Sequence, residues 1–304
     1  MQCKTNDFGT PGVEENAFLL RNVEHAQLVS RSIQDCFERA SIPGTTEETQ
    51  KQLLHFVVVG AGPTGIEVAS ELQDLFTSSY AGLYPHLHDK LKISIHDVAD
   101  QVLSGFDESL QKHAMESFDK KNISVETGSH IEKIEKDYIV TKEKGKIPTG
   151  MVIWATGNKP TSLVDVLDVK KDEKSLRLLT DTFLRLLSTK SDTFDGVYAI
   201  GDAADVEGGS LPATAEVACQ KAEYLARSLS KSFTKEFHYK QKAVVAYLGQ
   251  NDGVISGKGD YSGLQAWAAW RSKNFLWVRS WRQRILIVIA WIVDFLFGRS
   301  VSPR

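Results

Sequence analysis

Cysteine is scarce in this chain of 304 residues, which contains only Cys3, Cys36 and Cys219. The three lie far apart in the sequence, and no Cys-x-x-Cys pair occurs. A zinc ribbon or a redox-active dithiol needs cysteines at short spacing. Both kinds of site are therefore excluded, and no metal site is predicted.

Long apolar segments, targeting signals and an excess of one charge are also missing. The apolar stretch 285–297 has 13 residues and contains Asp294, whereas a membrane-spanning helix needs about 20. No signal or transit peptide is recognisable at the start of the chain. The net charge of −3 does not indicate nucleic-acid binding. The length suggests about two domains with ordinary globular cores.

A glycine-rich motif is the strongest positive signal. The apolar strand pattern of residues 55–59 leads directly into Gly60-Ala-Gly62-Pro-Thr-Gly65, and a helical pattern follows over 66–76. In a dinucleotide fingerprint the first glycine permits a tight turn, the second admits the pyrophosphate, and the third lets helix and strand pack closely. The motif predicts nucleotide binding; the alternative is a glycine-rich turn in an ordinary βαβ unit.

Alternating strand and helix patterns over about 54–157 predict one mononucleotide-type domain with a parallel sheet. A helix is predicted to precede it. The predicted helices are 14–39, 65–76 and 107–121, and the predicted strands are 54–59, 92–97, 124–126, 129–135, 138–141 and 151–157.

Two acids in this region are candidate cofactor ligands. Asp97 ends the second predicted strand, where an acid typically binds the adenine ribose hydroxyls, and its charge favours NADH over NADPH. Residues 77–91 form an insertion before that strand. Glu67 lies in the first helical turn after the glycines, where the helix dipole stabilises a carboxylate. The functional interpretation places Glu67 near the nicotinamide. The alternative for Asp97 is a strand-end acid that faces water, and the alternative for Glu67 is a charge that merely stabilises the helix.

The pattern changes after residue 160. The segment 197–203 is predicted to be a short buried strand ending in Gly201-Asp202, and a helix with small residues in its first turns is predicted from Pro212 to Ala226. Small residues permit close approach of a ligand or another backbone. A Gly-Asp pair after a strand can hold a flavin ribityl or phosphate chain, although many strands end in this way.

The C-terminal segment 267–304 is basic and rich in tryptophan, with seven basic residues against the single acid Asp294. Apolar residues recur at helical spacing and predict one aromatic and aliphatic helix face: Trp270, Trp277, Trp281, Ile285, Val288, Ile292 and Phe295. A basic amphipathic helix with tryptophans is typical of the membrane interface. Trp291 also belongs to this segment. The alternative is a helix in the core or in a dimer interface.

Several segments together resemble the type II NADH dehydrogenases, the single-chain alternative NADH:ubiquinone oxidoreductases of mitochondria and bacteria. They are Thr10–Glu15, Asp35–Glu38, Leu54–Leu72, Gly201–Ala203, Leu211–Ala218, Trp281–Arg284 and Phe297–Arg299. The resemblance covers essentially the whole chain in order. It implies an α/β flavoprotein fold with two dinucleotide-binding domains, the NADH domain inserted in the FAD domain, and C-terminal amphipathic membrane-anchoring helices.

The resemblance also implies roles for individual residues. NADH would be bound by Gly60, Gly62, Pro63, Thr64, Gly65, Glu67, Asp97, Thr156 and Gly157, with Glu67 as the catalytic residue. FAD would be bound by Gly201, Asp202, Ala213, Thr214 and Ala215. Ubiquinone would face Glu216, Cys219 and Gln220, and the membrane would be contacted by Trp270, Trp277, Trp281 and Trp291.

Four regions are expected on this basis. They are a remnant of the FAD-binding domain (1–53), the NADH-binding domain (54–160), the C-terminal part of the FAD-binding domain (161–235) and a membrane-associated segment (236–304). Two departures from the family pattern stand out: its first Gly-x-Gly-x-x-Gly unit, which binds FAD, is not found here, and Glu216 stands where the family often has Gln.

The leading interpretation is an FAD-dependent enzyme that passes electrons from NADH to ubiquinone without proton pumping, peripheral to the mitochondrial inner membrane. A homodimer is one of the oligomeric states left open. One alternative is an NADH-binding fragment or sensor without flavin. Another is a soluble FAD- and NAD-dependent reductase of the same fold, against which the missing Cys-x-x-Cys pair and the basic tail argue. An apoptosis-inducing-factor-like reductase shares the fold but does not predict the small-residue helix followed by a basic anchor.

Overall fold

The computed structural model describes residues 3–231, 235–257, 259–278 and 280–298. It divides the chain into two compact units, each of which contains both helices and strands. The smaller unit comprises Gly157–Lys242 and the chain up to Asn6, and the larger comprises Asp7–Thr156 and the chain from Ala243 onward. Residues 7–53, expected to belong to an FAD-binding domain, and the segment after 243, expected to stand apart, are therefore grouped with the glycine-rich motif.

The elements are numbered in chain order over the described residues. The helices are α1 (Val13–Asn16), α2 (Val23–Ala40), α3 (Glu47–Leu53), α4 (Pro63–Leu75), α5 (Ala81–Leu83), α6 (Glu108–Lys120), α7 (Ser162–Val166), α8 (Ala215–Lys231), α9 (Leu264–Trp277) and α10 (Trp281–Phe297), with a π-helix at Phe76–Tyr80 and a 3₁₀-helix at Pro85–Lys90. The strands are β1 (Phe18–Leu19), β2 (His55–Val59), β3 (Lys92–His96), β4 (Ile123–Glu126), β5 (Ile131–Glu135), β6 (Tyr138–Thr141), β7 (Gly145–Pro148), β8 (Met151–Trp154), β9 (Leu178–Thr180), β10 (Arg185–Leu187), β11 (Thr193–Tyr198), β12 (Ala204–Val206), β13 (Val244–Gly249), β14 (Asp252–Ser256) and β15 (Tyr261–Ser262).

A five-stranded parallel sheet organises the larger unit, in the order β1-β8-β2-β3-β4. All five residues of β2 are buried, as expected for a strand with a neighbour on each side and helices over the sheet. Helix α4 connects β2 to its parallel neighbour β3, which makes a βαβ unit. The predicted alternation of strand and helix is confirmed.

The predicted helix 14–39 is interrupted in the structure. Helix α1 ends at Asn16, Ala17 is extended, and Phe18–Leu19 pairs with β8 at the edge of the parallel sheet. Helix α2 then begins at Val23, because the side chain of Asn22 accepts a hydrogen bond from the backbone N–H of His25 at 2.8 Å and caps the helix. Strand β7 was not predicted; it completes a three-stranded antiparallel sheet with β5 and β6.

The chain from Ala243 onward folds against the domain that contains the glycine-rich motif. Strands β13, β14 and β15 form an antiparallel sheet, and Ala246, Leu248 and Val254 belong to the same buried cluster as Val58 and Ile66. The prediction of one continuous apolar helix face is wrong, since its positions are divided between α9 and α10. None of the residues of α10 is buried. Within the described residues, no helix is both long and apolar enough to cross a membrane.

The smaller unit contains a four-stranded sheet in the order β11-β10-β9-β12, with only β9 and β12 parallel. The prediction of a buried strand over 197–203 is wrong. Strand β11 ends at Tyr198 and lies at the sheet edge, where Val197 is 45% exposed. Gly201 and Asp202 lie in the turn before β12, and the predicted helix begins at Ala215 instead of Pro212.

Candidate functional site

The glycine-rich loop lies at the carboxyl edge of the parallel sheet. Its first residue, Gly60, follows β2 and has a φ of +110°. A Cβ atom on Gly60 would lie 2.9 Å from Cβ of Thr156 and 3.2 Å from the carbonyl oxygen of Ala155. The loops after β2 and β8 are therefore in contact. Strand β2 lies between β3, to which the chain proceeds through α4, and β8. The carboxyl end of β2 is therefore the switch point of the sheet, where sheets of this kind bind ligands.

The other two glycines differ in what surrounds them. A Cβ on Gly65 would lie 1.8 Å from the carbonyl oxygen of Gly60, so α4 can pack on the loop only with glycine there. A Cβ on Gly62 would meet no atom within 4 Å, and Gly62, Pro63 and Thr64 are exposed. Pro63 begins α4, and no side chain caps this helix end. The open N-terminus of α4 is suited to a phosphate group.

Asp97 follows β3 and braces this loop. Its Oδ2 accepts a hydrogen bond from the backbone N–H of Ala61 at 2.5 Å, and its Oδ1 accepts one from Ala99 at 2.8 Å. Asp97 is thus placed at the predicted strand end, beside the loop. A carboxylate has further lone pairs for ribose hydroxyls, and that role stays a prediction.

Glu67 connects α4 to the C-terminal part of the chain. Its Oε1 accepts hydrogen bonds from the indole N–H of Trp270 at 3.0 Å and from the backbone N–H of Tyr247 at 3.2 Å. Trp270 also stacks on Tyr247, with ring centroids 4.7 Å apart. Burial raises the pKa of Glu67 above its usual value, although both hydrogen bonds act in the opposite direction. The catalytic role of Glu67 stays a prediction.

A chain of buried polar residues that begins on β2 and β3 was missed from the sequence. His55 and His96 both lie within hydrogen-bonding distance of the Ser94 hydroxyl, at 2.8 and 3.3 Å, and His96 also contacts the Ser129 hydroxyl at 2.9 Å. Burial lowers the pKa of each histidine to about 4. The sequence signal was the presence of His55, Ser94 and His96 within otherwise apolar strands.

In the smaller unit, Arg177 shapes the turn that contains Gly201 and Asp202. Its guanidinium donates to the carbonyl oxygens of Asp202 at 2.9 Å and Ala204 at 2.8 Å. It also pairs with the buried carboxylate of Asp205 at 2.9 Å. Gly201 has a φ of +87°, and a Cβ there would meet no atom within 4 Å. The turn is therefore rigidly held while Gly201 borders open space.

Lys221 is a fully buried lysine on α8 beneath the same turn. Its ammonium donates to the carbonyl oxygen of Ala204 at 3.0 Å. Burial lowers the pKa of Lys221 to about 8, while the neighbouring Asp205 and Asp202 act to raise it and Arg177 to lower it. No sequence pattern distinguished Lys221 or Arg177 from the other basic residues.

The first turns of α8 carry the residues predicted to face FAD and quinone. Ala213 and Thr214 precede the helix and Ala215 begins it; the Thr214 hydroxyl accepts a bond from Val217 N–H at 3.4 Å. Glu216 accepts a bond from Gln220 at 2.7 Å and pairs with Lys242 at 2.6 Å. The charge of Glu216 is therefore paired with a cation. Cys219 is half-buried on the same helix.

The four tryptophans assigned to the membrane have different surroundings. Trp281 is 73% and Trp277 is 44% exposed. Trp270 instead points inward to Glu67, so its assignment to the membrane is corrected: its indole N–H is already used inside the protein. Trp291 is half-buried beneath the guanidinium of Arg271, which lies 4.2 Å from the ring centroid.

Comparison with known proteins identifies relatives along the whole chain. Residues 3–222 match the family model described as pyridine nucleotide-disulphide oxidoreductase. A probable NADH dehydrogenase of Dictyostelium discoideum is 35% identical over 98% of the chain and 67% of its own length. The mitochondrial internal alternative NAD(P)H-ubiquinone oxidoreductase A1 of Arabidopsis thaliana is 31% identical over 99% of the chain. The mitochondrial external NADH-ubiquinone oxidoreductase 2 of Saccharomyces cerevisiae is likewise 31% identical over 99%. The chain spans 62% of the length of each of the latter two relatives.

The fold also matches solved structures. NDH2 from Plasmodium falciparum in complex with NADH superposes with a TM-score of 0.91 at 21% identity, covering 99% of this chain and 78% of the other. At this identity the likeness shows the fold alone. It confirms the predicted α/β flavoprotein-type architecture with additional C-terminal helices.

Proposed function

Because the chain belongs to the pyridine nucleotide-disulphide oxidoreductase family, and within it to the type II alternative NADH:ubiquinone oxidoreductases, we propose that it acts in electron transfer from NADH to ubiquinone. Members of this family are enzymes, and their cofactors are the two predicted here, NADH and FAD. The chain matches only part of the length of its relatives, so the complete reaction, the quinone and the membrane contact belong to the proposal.

The observation that carries the proposal is the glycine-rich loop. Gly62 leaves room for a pyrophosphate beside the N-terminus of α4, while Gly60 and Gly65 permit the close contacts that shape the loop. We assign NADH to this site, with Asp97 holding the loop and accepting the ribose hydroxyls. The remaining predicted contacts are Pro63, Thr64, Thr156 and Gly157, and Glu67 is placed on the nicotinamide side of the helix.

The turn around Gly201 fits part of an FAD site. The left-handed Gly201 borders open space, and Arg177 holds the backbone on the other side of the turn. We assign Gly201, Asp202 and the segment Ala213–Ala215 to FAD. Bound FAD would supply acceptance of a hydride from NADH and delivery of electrons to a quinone, chemistry that side chains cannot perform. The chain's residues bind and orient these partners.

Ubiquinone is assigned to α8, where Glu216, Cys219 and Gln220 lie on adjacent turns. The Lys242 ion pair keeps a charge-neutral pair at the position of Glu216, which suits an uncharged quinone ring better than an isolated carboxylate does. Membrane contact is assigned to α10 and to the exposed Trp277 and Trp281. The mitochondrial relatives support a mitochondrial location. A peripheral position at the inner membrane and electron transfer without proton pumping are part of the proposal.

The visible absorption spectrum of the purified chain tests this proposal. It is recorded with and without added FAD and again after anaerobic addition of NADH. Flavin bands that bleach with NADH support electron transfer by this polypeptide. A colourless protein that binds NADH would contradict the assignment of FAD and leave the NADH-binding alternative. A protein that binds neither would overturn both assignments.

A further inference from the structure

A cavity of about 720 Å³ lies within the larger unit, between α4 and the two C-terminal helices. Its lining combines aromatic rings with charged groups of both signs. The aromatic side chains are Tyr247, Trp267, Trp270, Phe275, Trp291 and Phe295. The charged side chains are Arg271 from α9, Asp294 from α10, and Glu71 and Asp74 from α4. None of the residues assigned to NADH contributes to this lining.

Among the described residues of this lining, Arg271 is the only cation, and two rings fix its position. Its guanidinium lies 4.2 Å from the ring centroid of Trp291 and 5.3 Å from that of Trp267. Among the described residues it has ring contacts but no hydrogen-bond acceptor and no ion-pair partner. A half-buried guanidinium held by rings, with its N–H groups unused by the protein, is prepared to bind an oxyanion such as a phosphate.

The acids of the cavity make a free phosphate an incomplete fit. Asp74 is engaged by the Tyr247 hydroxyl and by the backbone N–H of Gln250 at 3.0 Å, but it still adds negative charge. Asp294 is exposed and contributes its carboxylate from α10. Three carboxylates and several aromatic rings form a favourable environment for an organic cation, and rings favour a quaternary ammonium in particular. The lining thus complements a phosphate and a quaternary ammonium at once.

We propose that this cavity binds the phosphocholine headgroup of a phospholipid, with the phosphate on Arg271 and the choline among the rings and carboxylates. Helix α10 forms one wall of the cavity, and its exposed side chains favour a lipid ligand over a soluble one. On α10, Ile285, Ile289 and Ile292 are each 50% exposed or more, so acyl chains leaving the cavity meet apolar side chains. This site adds lipid selectivity to the proposed membrane contact and does not depend on electron transfer.

The probe is dihexanoyl-phosphatidylcholine, kept below its critical micelle concentration so that membrane partitioning does not contribute. Binding to the purified full chain is followed by tryptophan fluorescence and by calorimetry. We expect saturable binding, at least about tenfold weaker in Arg271→Gln and weakened severalfold in Asp294→Asn. Lys273→Gln is the matched control, since Lys273 is on the same helix, lies over Trp277 at 5.4 Å and does not line the cavity. It should bind as wild type does.

Asp294→Asn also guards against misfolding, because Asp294 is exposed and its substitution leaves the core intact. Absence of saturation in the wild-type protein, or equal binding by Arg271→Gln, would overturn the site. Equal affinity for the matched phosphatidylethanolamine would overturn the choline assignment, and equal affinity for phosphatidylglycerol would show that only the phosphate is recognised. NADH titration of the same samples reports on the proposed function separately, since NADH binds elsewhere.

Discussion

The indole N–H of Trp270 donates a hydrogen bond to the Glu67 carboxylate at 3.0 Å. One partner follows the glycine-rich loop directly in sequence, and the other lies about two hundred residues later on α9. The backbone of Tyr247 adds a second hydrogen bond to the same oxygen. The position of the first turn of α4 therefore depends on the C-terminal segment.

Replacement of Glu67 by Gln keeps an oxygen for both donors and removes a partly buried charge. Since burial raises the pKa of Glu67, folding favours its protonated form, and ionisation reduces stability as the pH rises through the raised pKa. We expect Glu67→Gln to be as stable as wild type in mild acid and more stable near neutral pH. Urea unfolding at several pH values measures this, with Glu48→Gln, at an exposed position of α3, as the control.

The catalytic role predicted for Glu67 has a separate signature. If the carboxylate acts on the nicotinamide, Glu67→Gln lowers the rate of NADH oxidation by about tenfold or more while the protein remains folded. A gain in stability with an unchanged rate would assign Glu67 a purely structural role.

Two of the three motif glycines, Gly62 and Gly65, should respond differently to substitution by Ala. A Cβ on Gly62 meets no protein atom, so Gly62→Ala should keep the melting temperature within about 2 °C. It should weaken NADH binding by about tenfold or more, because the methyl group occupies the place of the pyrophosphate. Gly65→Ala should lower stability as well, because its Cβ would lie 1.8 Å from the Gly60 carbonyl oxygen.

Gly82→Ala is the matched control, since a Cβ on Gly82 also meets no atom within 4 Å and Gly82 lies outside the loop. Titration of protein fluorescence with NADH and thermal melts measure the two effects. Equal NADH affinity in Gly62→Ala and Gly82→Ala would contradict the assignment of the pyrophosphate to this loop.

The buried histidines predict a loss of stability in mild acid. His55 and His96 have pKa values of about 4 in the folded protein, below the usual 6.5. As the pH falls from 6.5 towards 4, the unfolded chain takes up protons that the folded chain does not. Each histidine should lower the free energy of unfolding by about 1.4 kcal/mol per pH unit in that window.

Urea unfolding between these pH values measures the slope. In His96→Gln the slope of the free energy of unfolding against pH should decrease by the contribution of one proton. The control is His130→Gln, at a surface position, which should retain the contributions of both buried histidines. A free energy of unfolding that does not change between pH 6.5 and 4 in the wild-type protein would contradict the prediction that both buried histidines are neutral in the folded state.

Lys221 predicts opposite effects on stability and on flavin binding. Its pKa of about 8 lies below the usual 10.5 because the side chain is buried, so the charged form destabilises the fold near neutral pH and stability rises from pH 8 to 10.5. We expect Lys221→Met to be at least as stable as wild type near neutral pH. FAD should bind more weakly, because the hydrogen bond to Ala204 that supports the turn is lost.

Lys231→Met, at the exposed end of the same helix, is the control for Lys221→Met. Flavin fluorescence gives the FAD dissociation constant, and urea curves give the stability. If wild type binds FAD and Lys221→Met binds it equally well, the hydrogen bond from Lys221 to Ala204 is not needed for FAD binding at this turn.

The C-terminal tryptophans should separate into two groups. Replacing Trp277 and Trp281 together by Ala should reduce partitioning onto lipid vesicles, because exposed indoles are suited to the membrane interface. On vesicles that lack phosphocholine headgroups, Trp270→Ala should leave partitioning unchanged. It should lower the melting temperature, since it removes the Glu67 contact and the ring stack. Vesicle sedimentation measures the partitioning. Equal loss in the two variants would contradict this division.

Local patterns predicted the βαβ unit well, because β2, α4 and β3 each carry their own periodicity and the glycines can be identified without tertiary information. The helix 14–39 was harder. Its apolar positions continue through the break, and only the Asn22 cap and the pairing of Phe18 with β8 end one helix and start another. The pairing is a contact between residues far apart in sequence, which periodicity does not contain.

The residues that support the site were less predictable than those that form it. Arg177, Lys221, His55 and His96 act through hydrogen bonds to backbone or side chains brought close only by the fold. Trp270 illustrates the same limit. Its spacing matches an amphipathic helix face, but the direction of its indole is decided by Glu67, about two hundred residues earlier in the sequence.

The contribution of β13 and β14 to the larger core has a practical consequence for protein engineering. Ala246, Leu248 and Val254 are buried with the residues of β2 and α4, and Ala266 on α9 is buried as well. A deletion intended to improve solubility therefore has a usable cutting point after Trp277, because none of the residues of α10 is fully buried. Cutting at residue 243 would instead remove buried side chains from the core around β2 and α4.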